Sequence, residues 1–167
     1  MAGGYTMAIP VEERNLMPRK KLMADLVGLL GGRTAEELVF DDITSGAGND
    51  LERVTQIARS MVTRLGMSEK MGPMVYGQKE ELIFLGREIS EQRDYSESVA
   101  EQIDSEVRRI VSEAHAEATR ILTQYRDKLD QVAQRLLEVE TLSRDEFEKI
   151  FPPPFPKKAT EGVTVDA

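Results

Sequence analysis

The sequence predicts a mainly α-helical protein with one short strand and two long antiparallel helices towards its C-terminus. Apolar residues recur at helical spacing through most of the chain, which is typical of amphipathic helices. Aromatic residues make up only 5% of the composition and Trp is absent, so Leu, Ile, Val, Met and Ala must build the core. A chain of 167 residues suits a single core. We therefore expect one domain over residues 2–151 and a mobile tail over residues 152–167.

The N-terminal part of the chain predicts a strand followed by a helix. Residues 5–10 alternate small, aromatic and aliphatic side chains, as a short strand does. Pro18 suits the first position of a helix, and apolar residues follow it at helical spacing. Because Gly31 and Gly32 interrupt this spacing, we expect a separate short segment over residues 33–40.

The middle of the chain predicts a loop and then an amphipathic helix. Residues 41–48 have the sequence DDITSGAG, which is a loop composition, and Asn49 can cap a helix over residues 50–65. Gly66 fits the C-terminal end of that helix. Residues 82–85 are compatible with either a short strand or a helical turn.

The C-terminal part is helical in pattern over residues 96–140. One helix of that length would extend ~68 Å, which is too long for a compact domain. We therefore expect a break near residues 125–127 and two antiparallel helices. Ser143 and Glu146 have the S-x-x-E spacing of a capping box, which predicts a short helix ending at Ile150.

Composition limits the classes of partner. The net charge of −8 and the pI near 4.9 argue against a nucleic-acid groove or an anionic membrane surface as partner. The absence of Cys excludes disulfides and thiolate metal ligands. No apolar run approaches the ~20 residues of a membrane-spanning helix, so we expect a soluble chain.

Catalytic motifs are missing from these residues. His115 is the single His, so neither the two imidazoles of a catalytic zinc site nor an H-E-x-x-H motif is present. His115 lies in SEAHAEA without a suitable Ser nearby, and we interpret it as a partly exposed helix residue. The segment GLLGGR lacks the Lys-Ser/Thr of a phosphate-binding loop, so no ATP site is expected here.

Residues 44–73 resemble the signature of FtsH-type ATP-dependent zinc metalloproteases. They have the sequence TSGAGNDLERVTQIARSMVTRLGMSEKMGP. Three other segments are similar to that family in the same order: AGGYTMAIP, GLLGGRTAEELVF and the C-terminal TQYRDKLDQVAQRLLEVETLSRDEF. The resemblance covers residues 2–151 and implies the C-terminal part of a helical FtsH-type peptidase domain.

The resemblance implies site residues by their matching positions. In that family, zinc is held by two His of an H-E-x-x-H helix and by an Asp. The matching residue in this sequence is Asp50. The alternative is that Asp50 only favours a helix N-terminus by charge. Glu36 matches an acidic residue near the family's metal site, and a solvated Glu on a helix face is an equal alternative. A structural pairing of Arg33 with Glu36 or Glu37 is a further alternative. Apart from the resemblance, Gly4, Tyr5 and Thr6 are candidates for a strand edge that binds substrate, because added strands bind through backbone hydrogen bonds, and a simple sheet strand is the alternative.

The resemblance also implies a function for the parent enzyme. We expect a membrane-anchored hexamer that degrades proteins, with this domain on the cytoplasmic, matrix or stromal side. Zinc is its cofactor, and ATP and the membrane are bound through an AAA module and N-terminal segments absent from these residues. The 167 residues alone are expected to be inactive and to bind zinc weakly. The alternative function is a non-catalytic helical module for oligomerisation.

Overall fold

The computed structural model describes residues 16–77 and 95–152, and this part of the chain is mainly α-helical. It contains five α-helices and no strand: α1 Arg19–Phe40, α2 Gly48–Thr63, α3 Glu97–Gln124, α4 Arg126–Val139 and α5 Arg144–Ile150. None of these helices combines the length and apolar composition needed to cross a membrane. The predicted mainly α fold class is confirmed. The predicted strand over residues 5–10, the segment at residues 82–85 and the tail after Pro152 lie outside the described residues.

The first helix, α1, is continuous, and the predicted interruption at Gly31 and Gly32 is wrong. Its buried residues are spaced four apart on one face: Leu22, Leu26, Leu30 and Thr34. The buried Thr34 hydroxyl donates a hydrogen bond to the Leu30 carbonyl oxygen at 2.8 Å, across the two glycines. Burial of this face therefore outweighs the cost of about 1 kcal/mol that each glycine adds to a helix interior. Pro18 is the residue before the helix rather than its first residue.

Gly32 is an exposed position in the interior of α1, where a larger residue should stabilise the protein. No described atom lies within 4 Å of a Cβ built on Gly32. Gly32→Ala should raise the free energy of unfolding by about 0.5–1 kcal/mol, because alanine loses less backbone entropy in a helix. Urea unfolding followed by circular dichroism measures this change.

The matched control for Gly32→Ala is the same substitution at Gly66, just after α2. Gly66 has φ +57°, and its Cβ would lie 3.0 Å from the Pro73 Cα. Gly66→Ala should therefore destabilise the protein. A loss of stability in Gly32→Ala would contradict the prediction for α1.

The first of two compact units comprises residues 1–121, and it contains the core. α1, α2 and α3 each contribute fully buried side chains to one apolar cluster. Its largest fully buried apolar members are Leu26, Val54, Met61, Val62, Ile103 and Ile110. The aliphatic and methionine composition of this cluster agrees with the low aromatic content of the sequence.

A buried carboxylate on α3 accepts a hydrogen bond from the loop that follows α2. The Glu106 side chain on α3 is only 4% exposed. Arg109 donates from Nε and Nη2 to its two carboxylate oxygens, each at 3.1 Å. The Ser68 hydroxyl donates to Glu106 Oε2 at 2.6 Å and accepts a hydrogen bond from the Met71 amide. These hydrogen bonds satisfy the carboxylate that the fold buries.

The second unit comprises residues 122–167 and contains α4 and α5. The helical region is interrupted at Tyr125, which lies between α3 and α4, as the sequence predicts. The antiparallel orientation of these helices stays a prediction. Ser143 and Glu146 form the predicted capping box at the start of α5. Phe151 packs edge-on against Tyr125 and Phe147, with ring centroids 5.0 and 6.2 Å apart.

Candidate functional site

The candidate site is the loop between α1 and α2. α1 ends at Phe40 and is followed by Asp41, which has a left-handed backbone conformation with φ 53° and turns the chain away from the helix axis. A 3₁₀ turn, Ser45–Ala47, then leads without a gap into α2. Its cap is Thr44, whose hydroxyl oxygen accepts a hydrogen bond from the Gly46 amide at 3.2 Å. The loop is thus short and ordered by local bonds.

Asp50 lies in the first turn of α2, directly after this loop. The residue before the helix is Ala47, so the prediction that Asn49 caps it is wrong. The physical reason is that the 3₁₀ turn already satisfies the entering backbone, with the Gly48 amide donating to the Ser45 carbonyl oxygen. The partly buried Asp50 carboxylate has no hydrogen bond or ion pair within the described residues. Its oxygens are therefore available to a ligand.

Glu36 lies in the last turns of α1 and binds the loop. Its carboxylate accepts two hydrogen bonds from Thr44, one from the backbone amide to Oε2 and one from the hydroxyl to Oε1, each at 2.9 Å. Arg33 contacts the neighbouring acid, Glu37, with Nε 3.2 Å from Oε1. The alternative that Arg33 forms a structural ion pair with one of the two glutamates is therefore confirmed, and the partner is Glu37.

His115 lies on α3 and contacts α1. Its Nε2 is 2.9 Å from Glu37 Oε2, and its side chain is 39% exposed. Glu37 therefore links Arg33 on its own helix to His115 on another. This geometry agrees with the interpretation of His115 as a partly exposed helix residue.

Comparison with known proteins decides the family of this chain. Its sequence matches peptidase family M41 over residues 1–150. The chain belongs to peptidase family M41. The resemblance of residues 44–73 to FtsH-type proteases is thereby confirmed.

Curated relatives of this M41 chain share about half of its residues. It is 52% identical over 150 residues to an ATP-dependent zinc metalloprotease FtsH 1 of Thermoanaerobacter sp. (strain X514), covering 90% of this chain and 24% of the relative. It is 55% identical over 152 residues to an ATP-dependent zinc metalloprotease FtsH of Chloroflexus aggregans, covering 89% and 23% respectively. The M41 chain therefore spans about a quarter of the length of these relatives.

The fit of zinc to this M41 chain depends on Asp50. Within residues 16–77 and 95–152, no three His, Asp or Glu side chains lie together as a metal-binding group. A carboxylate without a protein partner is a suitable anionic ligand for Zn²⁺. Asp50 thus fits as one ligand, and a complete site needs further ligands from outside the described residues.

The contact between Glu36 and Thr44 is the main feature of the site that sequence reasoning missed. Composition predicts a loop at Thr44, and the expectations for Glu36 are a place near the metal, a solvated surface or a pairing with Arg33. Glu36 lies in a helix and Thr44 in the loop after it, so no helical or strand periodicity relates them. A Thr that precedes a Gly-containing turn, shortly after an acidic helix end, is the signal that suggests such a contact.

Proposed function

We propose that this chain is the metal-ligand-bearing C-terminal part of an ATP-dependent zinc endopeptidase that degrades proteins. The supporting observation is the free carboxylate of Asp50 at the start of α2, within the M41-matched residues. Metal-ligating side chains on rigid elements hold their geometry better than those on mobile loops. In this proposal the complete protein assembles as a homohexamer. Other parts of that protein use ATP and attach it to the membrane.

The described residues would contribute to catalysis by holding and orienting one zinc ligand. Asp50 would bind the ion through a carboxylate oxygen, together with the two His of the family's H-E-x-x-H helix. A zinc ion there supplies Lewis-acid activation of water for hydrolysis of a peptide bond. Glu36 would contribute to the polar surroundings of the site, since each of its oxygens retains a lone pair beyond the bonds to Thr44.

The decisive test is removal of the Asp50 carboxylate in the complete enzyme that carries the H-E-x-x-H helix. Asp50→Ala should lower zinc affinity by about 100-fold or more, since even residues that only support ligands cost about 10–100-fold. Competition with a chelator measures the affinity, and casein hydrolysis measures the activity. Both should fall together.

The matched control is Asp127→Ala, because Asp127 is also an acidic residue in the first turn of a helix, α4. This variant should keep wild-type zinc affinity and activity. The 167-residue chain alone should neither retain zinc on dialysis nor cleave casein. Normal zinc affinity in Asp50→Ala would refute Asp50 as a ligand.

Gly4, Tyr5 and Thr6 remain proposed as a strand edge that aligns substrate by backbone hydrogen bonds. The same cleavage assay applies to Gly4→Pro, which removes one backbone donor from that edge. Unchanged kcat/KM in this variant would remove the strand from the proposal and leave Asp50 unaffected.

A further inference from the structure

We propose that Thr44 is a positioning residue, which holds the loop before α2 against Glu36 and so fixes the position of Asp50 and the direction in which its side chain leaves the backbone. The inference rests on the proposed function, because it takes Asp50 to be a zinc ligand. The side-chain contact between Thr44 and Glu36 joins two segments that each resemble the family separately.

Thr44 makes three hydrogen bonds that connect α1 to the turn before α2. Its amide and hydroxyl both donate to the Glu36 carboxylate, so the two oxygens of one side chain bind the two donors of one residue. The same hydroxyl oxygen accepts from the Gly46 amide. A two-point contact fixes direction as well as distance, because rotation about either bond breaks the other.

The contact lies where a small movement would displace Asp50. The chain passes from Thr44 through the 3₁₀ turn Ser45–Ala47 and directly into α2. The turn and helix are joined by the bond from the Gly48 amide to the Ser45 carbonyl oxygen. Asp50 is two residues after Gly48, and its side chain has no hydrogen-bond or ion-pair partner within the described residues. The place and the direction in which its side chain leaves the backbone are therefore set by the segment that Thr44 and Glu36 hold.

Glu36 is itself anchored by the buried face of α1. Leu30 and Thr34, in the two turns before it, are 3% and 1% exposed. Because Glu36 lies on this rigid helix, its contact with Thr44 holds the loop before α2, and with it Asp50, in a fixed place relative to the core. A metal ligand that is pre-oriented binds its ion more tightly, because less freedom is lost on binding.

The first experiment uses hydrogen exchange on the complete enzyme in its zinc-free form. Thr44→Val keeps the side-chain shape but removes the hydroxyl donor and acceptor, whereas Thr44→Ser keeps both. Exchange at the Gly46 and Gly48 amides should be about tenfold faster in Thr44→Val, since loss of a charge-assisted bond is worth about one factor of ten. It should be unchanged in Thr44→Ser. Exchange at Ala58, buried in mid-α2, should be unchanged in both and shows that the fold is intact.

The second experiment measures zinc affinity in the complete enzyme by chelator competition. Thr44→Val should lower the affinity by about tenfold without lowering the thermal midpoint of the zinc-free protein, and Thr44→Ser should restore it. A role only in stability would change the midpoint and leave the affinity alone. Normal affinity in Thr44→Val, with reduced affinity in Asp50→Ala, overturns the positioning role and leaves the proposed function standing. Normal affinity in Asp50→Ala overturns both.

Discussion

Replacing Leu26 with alanine should lower the free energy of unfolding by about 3 kcal/mol. Leu26 is fully buried in α1, at the centre of the cluster that α1, α2 and α3 form. The variant loses the transfer free energy of the removed carbons and leaves a cavity that the packed neighbours fill only in part. Small domains have a total stability of about 5–15 kcal/mol, so this is a large fraction. Urea unfolding followed by circular dichroism measures it.

The matched control for Leu26→Ala is Leu137→Ala in α4. The Leu137 side chain is 80% exposed, so its truncation removes little packing. Alanine is also at least as good a helix former as leucine. We expect nearly wild-type stability in this variant. A loss below about 1 kcal/mol in Leu26→Ala, the centre of the range for ordinary substitutions, would contradict the assignment of Leu26 to the core.

The parts of the fold that depend on neighbouring residues were predictable from the sequence. The capping box of Ser143 and Glu146 needs only residues three apart, and its spacing was sufficient to place the start of α5. The interruption at Tyr125 followed from the length limit on a helix in a compact domain. The end of α2 near Gly66 followed from the left-handed conformation that glycine adopts readily.

The parts that depend on distant contacts were not predictable. The two glycines of α1 predict a break locally, and only burial of the face that contains Leu30 and Thr34 explains the continuous helix. The family motif predicts Asp50 as a ligand, but no local pattern predicts the residue that caps the turn before it. Thr44 contacts Glu36, and the pairing depends on how the chain turns at Asp41. Periodicity contains no information about such a turn.

Exchanging Glu106 for glutamine should lower the free energy of unfolding by about 2 kcal/mol, within the range of hydrogen bonds to charged groups. Glutamine has nearly the same shape, but its amide nitrogen is a donor that would face donors of Arg109 or Ser68. The buried position prevents water from compensating. No local pattern predicts this contact, because Ser68 and Glu106 are 38 residues apart.

Glu117→Gln is the matched control, because Glu117 also pairs with an arginine three residues later, Arg120, through bonds of 2.7 and 2.8 Å. That pair is exposed, and exposed ion pairs contribute little to stability. Equal losses in Glu106→Gln and Glu117→Gln would contradict the importance of burial. The comparison therefore separates the effect of the ion pair from the effect of its surroundings.

The contribution of Glu106 should disappear in acid. Hydrogen bonds from Arg109 lower the pKa of Glu106 from its ordinary value, burial opposes this, and the bond from Ser68 adds to the lowering. A carboxyl group with a lowered pKa in the folded state stabilises the protein fully above its unfolded pKa of about 4.3. This stabilisation is lost as the pH falls through the folded pKa, since the folded state must then bind a proton that it disfavours.

The difference in unfolding free energy between the wild-type protein and Glu106→Gln isolates this contribution. Glu117 and Glu146 also have lowered pKa values, through bonds to Arg120 and Ser143, and both affect the pH dependence of the wild-type protein. Both groups are present in the variant, so subtraction removes their contributions. The difference should be constant near neutral pH and should shrink as the solution becomes acidic. A difference that stays constant through the acidic range would mean that the charge of Glu106 does not stabilise the contact between α3 and Ser68.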